Sequence, residues 1–82
     1  MEIIKISAIW CSSCIIMKSR FNEVIKDMNI EVVNLDYDID DIDEYNIGEI
    51  LPVFIKIKHG KEIDRLIGEH SKKEIESFIG EV

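Results

Sequence analysis

The chain opens on Glu2-Ile3-Ile4-Lys5-Ile6-Ser7-Ala8-Ile9, a run rich in β-branched residues and mostly apolar on both faces. Such a run, Glu2 to Ile9, predicts a strand in the middle of a sheet covered on both sides. From Ser12 the period changes. Cys14, Met17, Phe21, Val24, Ile25 and Met28 recur at steps of three and four, the buried stripe of an amphipathic helix. Ile30, Val32, Val33 and Leu35 mark a second strand over Glu31 to Leu35, and Ile42 and Tyr45 mark a short helix within Asp40 to Tyr45. Leu51-Pro52 opens a third strand, Val53 to Lys58, with proline at the position where its missing donor is tolerated. His59-Gly60-Lys61 reads as a hairpin turn and Glu62 to Ile67 as the returning strand, which Gly68 ends. Ser71 and Glu74 have the spacing of a capping box for a last helix, whose buried stripe is Ile75, Phe78, Ile79 and Val82. The order βαβαββα predicts an α/β domain with a four-stranded mixed sheet, a parallel pair followed by an antiparallel hairpin, flanked by helices.

Composition narrows the setting. The 82 residues carry no repeat, linker or low-complexity stretch, so one domain over residues 1–82 is expected. A net charge of −7 makes nucleic acid and anionic membrane surfaces poor partners. No stretch approaches the roughly 18 apolar residues of a membrane span. The N-terminus shows no basic segment followed by a long apolar one, so a reducing cytoplasm is the expected compartment, and a monomer the expected state.

Chemistry concentrates at Trp10-Cys11-Ser12-Ser13-Cys14, which holds both cysteines of the chain at the junction of strand and helix. A bridge across so short a spacing closes too small a loop to staple a fold. The first turn of a helix presents unsatisfied N–H groups and the positive end of the dipole, which favour a thiolate. Cys11 lies just before that turn and is expected to face solvent, whereas Cys14, in the stripe with Met17 and Phe21, is expected to face inward. That asymmetry assigns Cys11 the attack on a substrate disulfide and Cys14 the resolution of the mixed disulfide. A zinc site wants two further ligands. Only His59 and His70 are available, both in the C-terminal third at a spacing that fits no compact knuckle, so no metal is expected. A cluster bridged between two chains, or two cysteines acting only as small buried hydrophobes, are the other structural readings.

Three separated segments now agree: Ile9-Trp10-Cys11-Ser12-Ser13-Cys14, Tyr45-Asn46-Ile47-Gly48-Glu49-Ile50-Leu51-Pro52-Val53-Phe54, and Gly60-Lys61-Glu62 followed by Gly68. In that order and spacing they resemble the thioredoxin superfamily over essentially the whole chain, as a minimal, glutaredoxin-sized member that starts at the strand before the dithiol. The resemblance implies a cis bond before Pro52, a Leu51 backbone that pairs with an extended substrate segment, a bare backbone at Gly68 that lets substrate approach, and a flanking aromatic at Trp10. It implies a thiol–disulfide oxidoreductase that reduces protein disulfides, needs no dissociable cofactor beyond a redox-active Cys11–Cys14 disulfide, and is recharged by a reductase or another thiol donor. The rivals are a glutathione-dependent, glutaredoxin-like activity, for which the Thr-Val-Pro and Gly-Gly-x-Asp patterns are missing, and a non-enzymatic interaction or metal-carrying module.

Departures from the family pattern matter too. Ser12-Ser13 replaces the usual Gly-Pro, so the reduction potential does not carry over. Lys5 stands where thioredoxins commonly place a buried aspartate, and the lysine that partners it matches Asn34. Lys5 is expected to carry its amine to the edge of the sheet by snorkelling, in preference to sitting beside Cys14. The acidic run Asp36, Asp38, Asp40, Asp41, Asp43 and Glu44 lacks the glycine and terminal glutamate of a calcium loop and reads as the solvated face of the short helix. His59 reads as a turn residue and His70 as a surface residue near the substrate loop, with tuning of partner contact or of the pH response as its other reading. Ile15, on the outer stripe of the first helix, is a candidate to complete an apolar docking patch with Trp10, Ile50 and Leu51.

Overall fold

A computed structural model of the chain describes residues 1–80. Strands β1 (Glu2–Ser7), β2 (Glu31–Asp36), β3 (Val53–Lys58) and β4 (Lys61–Ile67) form one sheet in the order β2-β1-β3-β4. β1 and β2 are parallel, and β3 is antiparallel to both β1 and β4. Helix α1 (Ser12–Ile25) makes the crossover between the parallel strands, and α2 (Lys72–Gly80) follows the hairpin. This is the predicted mixed α/β sheet with its parallel pair and hairpin. No helix among the described residues is long and apolar enough to cross a membrane.

Side-chain alternation along β1 divides the core. Ile3 joins Met17, Phe21, Phe54, Ile75, Phe78 and Ile79 in the cluster beneath the two helices, where the Phe21 and Phe54 rings lie 4.7 Å apart. Ile4, Ile6 and Ala8 join Leu51, Val53, Ile55 and the two cysteines in the other cluster, against which Tyr37, Ile42, Tyr45 and Ile47 pack. The acidic stretch is therefore the cover of one sheet face. Only Asp43–Tyr45 is helical, as a single 3₁₀ turn rather than the short helix predicted from Asp40. Its carboxylates cap neighbouring amides: the Asp36 and Asp38 N–H groups donate to Asp40 and Asp36, at 2.7 and 2.8 Å. Local side chain–backbone bonds of this kind compete with helix formation.

Ends account for the other differences. β1 stops at Ser7, two residues before the predicted end, and leaves Ile9 at 87% exposure. Met28 lies beyond the end of α1 and is exposed, not part of the buried stripe. The hairpin turns on His59 and Gly60 alone, both at positive φ (56° and 77°), so that Lys58 pairs with Lys61. The capping box forms as predicted: the Glu74 N–H donates to Ser71 Oγ at 3.2 Å and the Ser71 N–H donates to Glu74 Oε1 at 3.0 Å. Val82 lies outside the described residues.

Two lysines are buried. Lys56, on the helix-facing side of β3, is 2% exposed. Its ammonium donates to the Phe78 carbonyl and lies 5.2 Å from the centre of the Phe78 ring. A cation at the C-terminal end of α2 satisfies a carbonyl that the helix itself leaves open.

Candidate active site

The chain leaves the sheet after Ser7, the last residue of β1, and α1 starts five residues later at Ser12. Cys11 is the N-cap of α1, with extended backbone (φ −91°, ψ 111°). Its sulfur accepts a hydrogen bond from the Cys14 N–H at 3.3 Å, the place usually taken by a serine or aspartate oxygen. On its other side Cys11 Sγ lies 3.8 Å from the Leu51 carbonyl oxygen, the residue before the bend into β3. The Leu51–Pro52 peptide bond is cis. The Gly68 N–H donates to the Pro52 carbonyl at 2.8 Å, which holds the end of β4 against the same bend. Thus Cys11, Cys14, Leu51, Pro52 and Gly68, far apart in sequence, converge on one spot.

Gly68 has φ +85°, and a Cβ there would meet the Ile50 methyl at 3.3 Å. Only a residue without a side chain adopts that backbone freely while leaving the approach open. Trp10 stands at the rim, 61% exposed, and is held by two contacts. Its indole N–H donates to Asp38 Oδ2 at 2.6 Å, and its ring meets Tyr37 edge-on at 6.2 Å. Ile15 and Ile50 are exposed alongside, whereas Leu51 is buried and contributes backbone rather than apolar surface.

The expectation of a solvent-facing Cys11 is corrected: Cys11 is 9% exposed and Cys14 4%. Cys11 packs in one cluster with Ala8, Leu51 and Val53, and the Leu51 carbonyl beside its sulfur comes from 40 positions away in sequence. Cys14 is pushed up to about 11, first by burial and then by its hydrogen bond with Cys11 and by the Cys11 charge. A bond with Ala8 and the Lys5 ammonium act the other way. Lys5 has not reached the sheet's edge, which corrects the snorkelling expectation. β1 is an interior strand, and Lys5, between Asn34 and Phe54 in register, is buried at 7% exposure.

His70 is more than a surface residue. Its N–H donates to Met17 Sδ at 3.2 Å and its carbonyl accepts from Arg20 at 2.8 Å, which ties the segment after Gly68 to α1. Its ring nitrogens face the Ile67 carbonyl at 2.8 Å and Glu74 at 3.2 Å. Burial disfavours its charge, but those two partners outweigh burial and raise its pKa. Sequence reasoning also missed Asp38 as the anchor of Trp10, because nothing in a run of acids marks one of them. Among the described residues no group of histidine, cysteine and carboxylate side chains could hold a metal ion.

Comparison with known proteins agrees with this arrangement. The chain is 31% identical to thioredoxin H2 of Arabidopsis thaliana over 98% of its own length and 61% of the relative's. It is 31% identical to thioredoxin H-type 1 of Nicotiana tabacum, over 94% and 62%. It is 27% identical to the mitochondrial thioredoxin of Mus musculus, over 94% and 48%. The chain thus spans less than two thirds of the length of these relatives. Among solved structures, one described as thioredoxin-2 of the malaria parasite superposes with a TM-score of 0.84 at 18% identity, covering 96% of this chain and 80% of that one. The thioredoxin family model matches residues 1–81, and with the dithiol, the cis-proline bend and the glycine gathered at one end of the sheet, this chain belongs to the thioredoxin family.

Proposed function

We propose that the chain is a thiol–disulfide oxidoreductase that reduces disulfides of other proteins, with Cys11 as nucleophile and Cys14 as resolving thiol. The observation that carries this reading is the sulfur pair itself. Cys11 Sγ receives the Cys14 N–H at the start of α1, and the Cys14 thiol is held protonated behind it. The thiolate is the attacking form in disulfide exchange, and Cys11 stands at the N-terminus of α1 with the Cys14 amide aimed at its sulfur.

The reaction runs in two exchanges. Cys11 thiolate attacks one sulfur of the substrate disulfide. A bond forms between Cys11 and that sulfur, the substrate S–S bond breaks, and the second substrate sulfur leaves as a thiolate that takes a proton from water. Cys14 then gives up its proton and attacks Cys11 Sγ. The Cys11–Cys14 bond forms, and the remaining substrate sulfur leaves as a thiolate. Two electrons have passed to the substrate, and no dissociable cofactor is needed. A reductase or small thiol donor returns the pair to the dithiol. Trp10, Leu51, Pro52 and Gly68 form the groove in this reading, in which an extended substrate segment lies across the Leu51 backbone, and a cytoplasmic compartment and a monomeric, single-domain protein complete it.

The test is turnover. With dithiothreitol as electron source, the protein is expected to accelerate reduction of the insulin interchain disulfides well above the rate with dithiothreitol alone. Cys11→Ser is expected to fall to that background rate. A Cys11→Ser variant that retains the acceleration overturns the assignment.

A further inference from the structure

The helix-facing side of β1 carries one charged residue, and it sits where an apolar side chain would cost less. Lys5 is 7% exposed and has no hydrogen-bond or ion-pair partner among the described residues. It opens into a small cleft of about 190 Å³ between the start of α1 and the end of β1, lined also by Ser7, Cys14, Ile15, Lys18 and Asp36. A cleft of that size admits a few waters, at about 30 Å³ each.

The charged and titratable groups facing Lys5 are few. From α1 come Cys14 and Lys18, and from the end of β2 comes Asp36, whose carboxylate already accepts the Asp38 amide at 2.8 Å. Its register neighbours, Asn34 on β2 and Phe54 on β3, are neutral. Burial and the Lys18 ammonium both make the Lys5 charge costly and lower its pKa, and the Cys14 sulfur is the group whose charge relieves it. That coupling is reciprocal: a charge pair that favours the ammonium favours the thiolate equally.

We propose that Lys5 is a positioning residue for the second exchange, holding a cation beside Cys14 so that its thiolate forms and attacks Cys11 Sγ. The inference rests on the functional reading above. The Cys14 proton passes to water in the cleft, the Cys11–Cys14 bond forms and the substrate sulfur leaves as thiolate. Lys5 stays protonated throughout. It acts only after Cys11 has become half of a mixed disulfide, when the negative charge at Cys11 is gone and Cys14 is the sulfur that must ionise.

Ellman's reagent separates the two exchanges. Attack by Cys11 releases one thionitrobenzoate anion and resolution by Cys14 releases the second, so stopped-flow absorbance records two phases. Lys5→Met keeps the stem and removes the charge. If the Cys14 pKa in the mixed disulfide rises by about one unit, the thiolate is about tenfold scarcer but about threefold more nucleophilic. The second phase near neutral pH should then slow roughly three- to fourfold and its pH midpoint should move up, while the first phase stays unchanged. Lys5→Arg should keep both phases near wild type. An unchanged second phase in Lys5→Met overturns the inference, as does equal slowing of both phases, which marks a merely structural role. A wild-type protein that releases only one anion defeats the dithiol reading instead, so the two failures are distinguishable.

Discussion

Cys14→Ser is expected to turn the protein into a covalent trap for its own substrates. The variant keeps the Cys14 main-chain N–H that donates to Cys11 Sγ, so the first exchange should proceed. The thiol proposed to break the mixed disulfide is gone. A positioned intramolecular group has an effective molarity far above any millimolar thiol in solution, so the adduct should persist on the order of 10³-fold longer. Non-reducing electrophoresis and intact mass should show the protein plus one substrate chain, joined through Cys11 and released by dithiothreitol. Cys11→Ser should give no such adduct. Equal trapping by Cys11→Ser would mean that Cys14 attacks first, contrary to its burial and to a thiol held near 11.

The second large effect concerns stability. Lys56→Ala should destabilise the domain by roughly 3 kcal/mol, because it removes both a four-carbon stem buried in the core and the donor to the Phe78 carbonyl. Lys56→Met keeps the stem and should cost only about 1–2 kcal/mol, the range for a buried carbonyl deprived of a partner. A folded chain of 82 residues has on the order of 4–12 kcal/mol in all, so the alanine variant should melt at least about 12 °C lower. Urea unfolding followed by circular dichroism measures both variants. Equal losses for alanine and methionine would assign the effect to the ammonium alone.

The fold was legible in the chain because its strands and helices carry strong local patterns. Ile3, Ile4 and Ile6 are buried on both faces of β1, and Met17 and Phe21 recur at helical spacing along α1. Ser71 and Glu74 announce a helix start that forms as written. The misread parts are those decided by distant residues. Cys11 looked exposed because it lies just before the first turn of α1, yet its surroundings include Leu51, 40 positions away. Lys5 looked free to snorkel because its strand is short and stands at the start of the chain, whereas the packed side chain is only 7% exposed. Lys56 drew no attention in a strand with alternating lysines, and only the arrival of α2 gives its ammonium a carbonyl. Asp40 to Tyr45 has helical spacing in Ile42 and Tyr45, but aspartates that bond to nearby amides keep all but one turn irregular. The residues of the site were each recognisable by type. Their convergence at the end of the sheet follows from topology, with the Gly68 amide bonded to Pro52 beside the Leu51 carbonyl.

The central claim is that Cys11 and Cys14 act as one two-electron couple, and a redox titration tests it most directly. The protein is equilibrated across a series of dithiothreitol buffers from reducing to oxidising, quenched in acid, alkylated and weighed intact. The account predicts a single transition from doubly alkylated to unalkylated protein, both thiols lost together, with a Nernst slope of about 30 mV per decade. A protein that remains doubly alkylated at the oxidising end, or that loses its two thiols in separate steps, would contradict it.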